Sequence, residues 1–101
     1  MNPPNPCQLL TEEEFRIGYP EFKGPLLAII EFHLAQAATE IDPQVWRGKT
    51  ATGHGLLTAD KLCHSPSGKM AKLVPDSGKT SYGIEYAKLV KQVGGAYRAL
   101  I

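Results

Sequence analysis

Two short segments contain the glycine, lysine and hydroxyl residues with which phosphate-binding loops hold a nucleotide and its magnesium ion. These segments are Gly48-Lys49-Thr50 and Gly78-Lys79-Thr80. A phosphate-binding loop also requires an earlier glycine, because the backbone must approach the phosphates closely. The corresponding positions hold Pro43 and Leu73, and neither triplet clearly joins a strand to a helix. The spacing therefore does not indicate a nucleotide site.

A second group has the residue types that bind zinc or act as nucleophiles, namely His54, Asp60, Cys63 and His64. Because Cys63 and His64 are adjacent, they point to different faces of a helix, and no second pair completes a set of ligands. Cys63 would need a base and an orienting third group to act as a nucleophile, and the sequence offers no such group. We therefore predict no catalytic, cofactor-binding or metal-ligating residues and no enzymatic activity.

Charge is divided unevenly along the 101 residues, although the formal net charge is only +1. Up to Asp42 there are seven acidic and two basic residues, a balance of −5, and from Pro43 onward nine basic and three acidic residues, a balance of +6. This division suits copies that meet head to tail, although two ordinary solvated faces would produce the same counts. Basic residues in the second half can also approach DNA without reading its sequence.

The spacing of apolar residues predicts an all-α fold, a small bundle of about four helices with a basic loop or short hairpin before the last helix. Thr11 and Glu14 form a capping box, which predicts a first helix near residues 11–17. A second helix is expected from Pro25 to about Asp42. Its apolar stripe consists of Leu26, Leu27, Ile30, Leu34, Ala37, Ala38 and Ile41.

Glycines complicate the second half of the predicted bundle. A third helix is expected near residues 45–64, with either a break near Gly53 or a neighbouring backbone packed closely there. The last helix should begin after Thr80 or Ser81 and end at Gly94-Gly95. Its apolar stripe consists of Tyr82, Tyr86, Leu89, Val90 and Val93. Beyond it, Tyr97, Leu100 and Ile101 continue the same spacing, as a resumed helix or as an apolar arm.

This pattern divides the chain into a flexible N-terminal arm at residues 1–10, a helical domain at 11–95 and a C-terminal arm at 96–101. Cys7 and Cys63 lie far apart and are expected to be free thiols. No apolar run approaches the roughly 20 residues of a membrane span, and the polar, proline-rich start lacks the features of a signal peptide. We therefore expect no membrane partner and a protein that is made and kept in the cytosol.

Three blocks of the sequence, taken in order, resemble one family of proteins. They are Phe15-Arg16-Ile17-Gly18-Tyr19-Pro20-Glu21-Phe22; Asp42-Pro43 and Trp46-Arg47-Gly48 with Leu56-Leu57-Thr58-Ala59-Asp60-Lys61-Leu62 and Ser65-Pro66-Ser67-Gly68; and Thr80-Ser81-Tyr82-Gly83-Ile84-Glu85-Tyr86 with Leu89 and Gly94-Gly95. This arrangement is similar to that of the small helical head-tail connector, or adaptor, proteins of tailed bacteriophages. The resemblance extends over nearly the whole chain.

The resemblance implies a structural virion protein, assembled in the host cytoplasm, that forms a homo-oligomeric ring, a dodecamer, in the neck of the particle. Such a ring would bind the portal protein on one side and a stopper or tail-completion protein on the other, with DNA passing through its channel. In this arrangement Lys69, Lys72 and Lys79 would face the channel or the portal, and Tyr97, Leu100 and Ile101 would enter a partner's groove. The alternatives are a small helical DNA-associated regulatory protein and another neck or tail-completion component.

Overall fold

A computed structural model describes residues 5–22, 27–65 and 80–99, with side chains described for 5–22, 28–65 and 80–94. Within these ranges the chain forms α1 (Glu12–Gly18), α2 (Leu27–Ala38), α3 (Pro43–Trp46), a 3₁₀ turn (Arg47–Lys49), α4 (Thr50–His64) and α5 (Ser81–Ala99). The described ranges contain no strand, so the prediction of an all-α fold is confirmed. The predicted basic loop or hairpin between residues 65 and 80 lies almost entirely outside the described residues.

The first helix begins at the predicted capping box. The Thr11 side chain accepts a hydrogen bond from the Glu14 N–H, and the Glu14 side chain accepts one from the Thr11 N–H. These bonds satisfy backbone donors that a helix start otherwise leaves free. The helix brings Phe15 into the core, where its ring stacks on Tyr19 with the centroids 4.8 Å apart.

The predicted apolar stripe of the second helix is largely buried. Ile30, Leu34 and Ala37 on the helix and Ile41 beyond its end are buried, Ala38 is partly buried, and the side chains of Leu26 and Leu27 lie outside the described set. The helix itself ends at Ala38, before the predicted end near Asp42. Asp42 instead begins the next helix, because its carboxylate accepts a hydrogen bond from the Gln44 N–H at 2.9 Å and Pro43 occupies the first turn.

The predicted helix over residues 45–64 is interrupted, but not at Gly53. The break lies at Arg47, whose φ of 50° is unfavourable for a residue with a side chain, and the 3₁₀ turn separates α3 from α4 there. Gly53 lies inside α4 beneath the Trp46 ring, where a Cβ atom would come within 2.7 Å of the ring atom Cε3. The group that leaves no room for a Cβ atom at Gly53 is therefore the Trp46 side chain, and not the neighbouring backbone that the sequence predicted as one alternative.

The last helix begins as predicted and ends later than predicted. The Gly83 N–H donates a hydrogen bond to the Thr80 hydroxyl at 2.9 Å, which caps the helix start. The prediction that the helix stops at Gly94-Gly95 is wrong, because α5 continues to Ala99. Val90, which we placed on the apolar stripe, is instead 41% exposed. Val93 is buried, and three other members of the stripe, Tyr82, Tyr86 and Leu89, pack against the core.

Helix α4 is the centre of the bundle, because it packs against α2 and against α5. The described core has two clusters of buried residues. The first is Phe15, Phe22, Ile30, Leu34, Ala59, Leu62 and Cys63. The second is Ala37, Ile41, Trp46, Leu57 and Val93. The described part of the predicted N-terminal arm also contacts α4, since the Ala51 N–H donates to the Pro6 carbonyl at 3.1 Å.

Candidate interaction surfaces

The residues that the sequence marks as partner contacts fall largely outside the described structure. Lys69, Lys72 and Lys79 lie in the range 66–79, and Leu100 and Ile101 follow the last described residue. Tyr97 lies on α5, but its side chain is outside the described set. Their contacts with a channel or a partner therefore stay predictions.

His54, which the sequence offers as a possible metal ligand, joins three parts of the fold. Its Nδ1 accepts a hydrogen bond from the Leu10 N–H at 2.9 Å, and its Nε2 donates to the Leu34 carbonyl at 2.8 Å. This pair of bonds fixes a neutral ring with the proton on Nε2. Burial lowers the pKa of His54 from its usual 6.5, although the bond to Leu34 acts in the opposite direction. The side chain therefore has a structural role.

The other candidate ligands do not converge. Asp60 accepts a hydrogen bond from the Thr80 hydroxyl at 2.7 Å and lies 3.3 Å from His64 Nε2. Cys63 faces the core, where burial, with the nearby charges of Asp60 and Glu21, raises its pKa to about 11. Its thiol therefore stays protonated at neutral pH. No three His, Cys, Asp or Glu side chains within the described ranges form a group able to hold a metal ion. Cys7 and Cys63 are both free, as predicted.

The first of the two nucleotide-like triplets lies at the junction of the 3₁₀ turn and α4. The Thr50 hydroxyl is fully buried and donates to the Arg47 carbonyl at 2.7 Å, so it is not directed toward a ligand. The Lys49 ammonium donates to the Gln92 side chain at 2.6 Å, which places the basic turn beside α5. The second triplet lies mostly outside the described residues.

An open groove runs between the C-terminal half of α4 and the first turns of α5, with a volume of about 480 Å³. We call it the α4–α5 groove. Its lining is Asp60, His64, Thr80, Gly83, Ile84, Ala87, Lys88 and Lys91. Ile84 and Ala87 supply an apolar wall, Lys88 and Lys91 supply positive charge, and the Asp60 carboxylate is already engaged by Thr80. Ile84 is 45% exposed, so this wall is accessible to solvent.

A second accessible apolar surface lies on the acidic half of the chain. On α2 the residues Ala28, Glu31, Phe32 and Ala35 are all exposed, and their spacing places them on one side of the helix. We call this side the Phe32 face. The Phe32 side chain is 57% exposed and contacts the His33 ring edge-on, with the centroids 5.3 Å apart. Ile17 on α1, at 53%, is the other large exposed apolar residue of this half within the described ranges.

Neither surface was identified from the sequence, although a signal for each was available. Phe32 is an aromatic residue that does not belong to the apolar stripe of α2, and Ile84 does not belong to the stripe of α5. Apolar residues that fall off a stripe are candidates for exposure, and therefore for contact with another molecule. The partner contacts predicted from the sequence lie instead in the loop and the C-terminal segment.

Comparison of the chain with models of protein families, with curated proteins and with solved structures found no match. The resemblance to phage adaptors therefore rests on the three sequence blocks. Within the part of the chain that the structure describes, no helix combines the length and the apolar character needed to cross a membrane.

Proposed function

We propose that this chain is a structural protein of a tailed bacteriophage, the head-to-tail adaptor that forms a ring between the portal and the stopper or tail-completion protein. The ring lies in the neck of the virion, is assembled in the host cytoplasm and surrounds the channel through which DNA passes. The three sequence blocks support this proposal, together with the all-α fold, which agrees with the fold that the resemblance implies.

One structural observation gives the proposal its strongest support. The small bundle has accessible apolar side chains on two surfaces that differ in charge: Phe32 lies beside Glu31 on α2, and Ile84 lies near Lys88 and Lys91 on α5. Surfaces that differ in this way suit a protein that binds through different patches to successive neighbours. A protein whose role is to join assemblies needs such patches.

Binding to a portal ring tests the proposal. The purified chain is mixed with the portal protein encoded by the same genome, and the complex is measured by light scattering and sedimentation velocity. We expect a species heavier than the portal ring that contains multiple copies of the chain. An unrelated helical protein of similar size, mixed with the same portal, is the control. A chain that stays monomeric and ignores the portal would contradict the proposal.

A small DNA-associated protein is the second candidate, and a basic surface around α5 favours it. Arg47, Lys49, Lys88 and Lys91 are all exposed, and the Lys49–Gln92 hydrogen bond brings the 3₁₀ turn next to α5. Lysine and arginine neutralise backbone phosphates without reading bases, so binding should weaken steeply as salt increases. Salt-sensitive binding of duplex DNA by the monomer would favour this candidate. No mobility shift at low salt would exclude it.

A different neck or tail component is distinguished by gene order. A reading frame directly after the portal, protease and capsid genes favours the adaptor, whereas one among tail genes favours a tail-completion or terminator protein.

A further inference from the structure

We infer that two copies of this chain join by insertion of the Phe32 side chain of one copy into the α4–α5 groove of the next, with Glu31 facing Lys88 and Lys91. The inference rests on the proposed function, because it names the contact through which the copies of a ring would bind each other. It also makes a claim about self-association that is measurable without any other protein.

On the Phe32 face, one large aromatic side chain projects between two small residues on the helix surface. Ala28 and Ala35, about one turn before and after Phe32, are exposed and small, so the ring projects beyond its neighbours. In the single chain, more than half of the Phe32 surface contacts water. Aromatic side chains that enter a partner's pocket supply a large part of the binding energy in many interfaces, and this position offers one.

The α4–α5 groove has the complementary properties. It is open to solvent, and its volume of about 480 Å³ falls within the range of roughly 300 to 1,000 Å³ of clefts and cavities that bind small ligands. Ile84 and Ala87 provide an apolar wall for a phenyl ring, and a lysine ammonium near an aromatic face adds a favourable cation–π contact. The Thr80 hydroxyl donates to Asp60, so the polar end of the groove is already satisfied within the chain.

The two surfaces carry opposite charges, which favours contact between the Phe32 face of one copy and the groove of another. Glu31 lies beside Phe32, while Lys88 and Lys91 line the groove. Within its own chain Lys88 lies 3.5 Å from Glu85, and both side chains are more than half exposed, so this ion pair is weak and easily exchanged. Glu31 of a second copy would therefore face the positive charges of Lys88 and Lys91 in the groove. Its own helix, α2, contains no lysine or arginine.

The positions of the two surfaces favour contact between different copies. Phe32 belongs to α2, whereas the lining of the groove comes from α4, α5 and the residue before α5. Helix α4 packs against both α2 and α5. The two patches differ and each copy has one of each kind, so the contact is heterologous when each copy gives its Phe32 face to one neighbour and its groove to another. Heterologous contacts form a closed ring when the rotation between copies closes.

Disulfide trapping tests the contact directly. In a Cys7→Ser background that keeps Phe32 and Ile84, a chain with Ala35→Cys on the Phe32 face is mixed with a chain with Ala87→Cys in the groove and oxidised, both in solution and in the presence of portal. We expect the mixed dimer to form at least about tenfold faster than in the matched control, a mixture of Ile17→Cys and Ala87→Cys chains, since Ile17 is also exposed but lies on α1. All three sites are exposed, so the substitutions should leave the fold intact, which circular dichroism checks. Equal rates for the two mixtures under both conditions would overturn the inference.

A charge exchange provides a second readout. Glu31→Lys should weaken self-association by about tenfold or more, and mixing it with a Lys88→Glu, Lys91→Glu chain should restore the contact in the mixture. A photoreactive group at position 87, which keeps Ile84, that captures residues 66–79 or 95–101 of its own chain, instead of the Phe32 face of a second copy, would overturn the inference.

The outcomes separate the inference from the proposed function. A ring that binds portal but is unaffected by Phe32→Ser would overturn the contact and leave the adaptor function standing. Copies that are trapped at positions 35 and 87 yet ignore the portal would support the contact and contradict the adaptor function.

Discussion

His54 is of a residue type that can bind metals or take part in catalysis, but in this fold its side chain has a structural role. Its two ring nitrogens bond to the backbone of Leu10 and of Leu34, so one side chain joins the N-terminal segment, α2 and α4. The side chain is 2% exposed, and protonation of Nδ1 would remove its only means of accepting from the Leu10 N–H. The stability of this junction should therefore depend on pH.

We expect the free energy of unfolding to fall as the pH is lowered below about 6.5, the usual pKa of histidine. Because burial lowers the pKa of His54 in the folded state, the unfolded chain takes up the proton first. The contribution is complete above the unfolded pKa and is lost as the pH falls toward the folded pKa. Urea titrations between pH 7.5 and about 5 measure it.

The His54→Gln variant should be less stable at neutral pH by roughly 1–3 kcal/mol, because it leaves buried backbone groups poorly paired, and its stability should vary less with pH. His33→Gln is the matched control, since burial and the charge of Lys61 also lower the pKa of His33. The control should retain the part of the pH dependence that belongs to His54. Parallel pH profiles for the wild-type chain and His54→Gln would show that this junction does not titrate as described.

Features that depend on a few neighbouring residues were predictable from the sequence at this scale. The capping box of Thr11 and Glu14 formed because its bonds are local. The role of His54 was not predictable, because its two partners are distant in sequence. The exposure of Phe32 was predictable in principle from its position off the apolar stripe, but the groove lining was not, since it combines α4, α5 and Thr80.

At the scale of elements, the predictions failed where tertiary contacts decide helix boundaries. Glycine disfavours a helix only weakly, by roughly 1 kcal/mol, so packing overrides it. Gly53 stays helical because the Trp46 ring packs on it, and Gly55 lies beneath Tyr19 in the same way. The real break is at Arg47, the residue before Gly48 in the 3₁₀ turn, and a periodic pattern of apolar residues does not show where a residue adopts a positive φ.

Gly53 on α4 and Gly94 on α5 should respond oppositely to the same substitution. Gly53→Ala should destabilise the fold by about 1–3 kcal/mol, because the new methyl group would overlap the Trp46 ring. Gly94→Ala is the matched control on α5. No atom lies within 4 Å of the position that a methyl group would occupy at Gly94, so alanine should stabilise the helix there by up to about 1 kcal/mol.

Thermal and urea unfolding of the two variants measure these changes. A Gly53→Ala chain as stable as the wild type would mean that Trp46 does not pack against α4 as described. A loss of stability in Gly94→Ala would argue against a helix that continues through this position.

At the scale of the whole molecule, part of the charge division is satisfied within the fold. Glu40 pairs with Lys61 at 3.0 Å, and Glu21 accepts a hydrogen bond from the Tyr82 hydroxyl, so acidic residues of the first half bind residues of the second. Other charged side chains stay at the surface. They include Glu13 and Glu31 on α1 and α2, and Lys49, Lys88 and Lys91 on or beside α5. The count of charges in the sequence predicted the division but not which members face solvent.

These surface charges predict that association between copies weakens as salt increases. The screening length shortens from about 10 Å at 0.1 M salt to about 3 Å at 1 M, so attraction between Glu31 and the lysines of a neighbour should be largely lost across that range. Sedimentation velocity at a series of sodium chloride concentrations measures the association constant, and urea unfolding of the same samples shows whether the fold itself changes. The chain with Glu31→Gln is the control, and its weaker association should depend less on salt because position 31 then carries no charge to screen. If burial of Phe32 supplied all of the binding energy, association would instead hold steady or strengthen as salt increases. That result would contradict a role for charge in the contact, but it would be consistent with insertion of Phe32 into the groove.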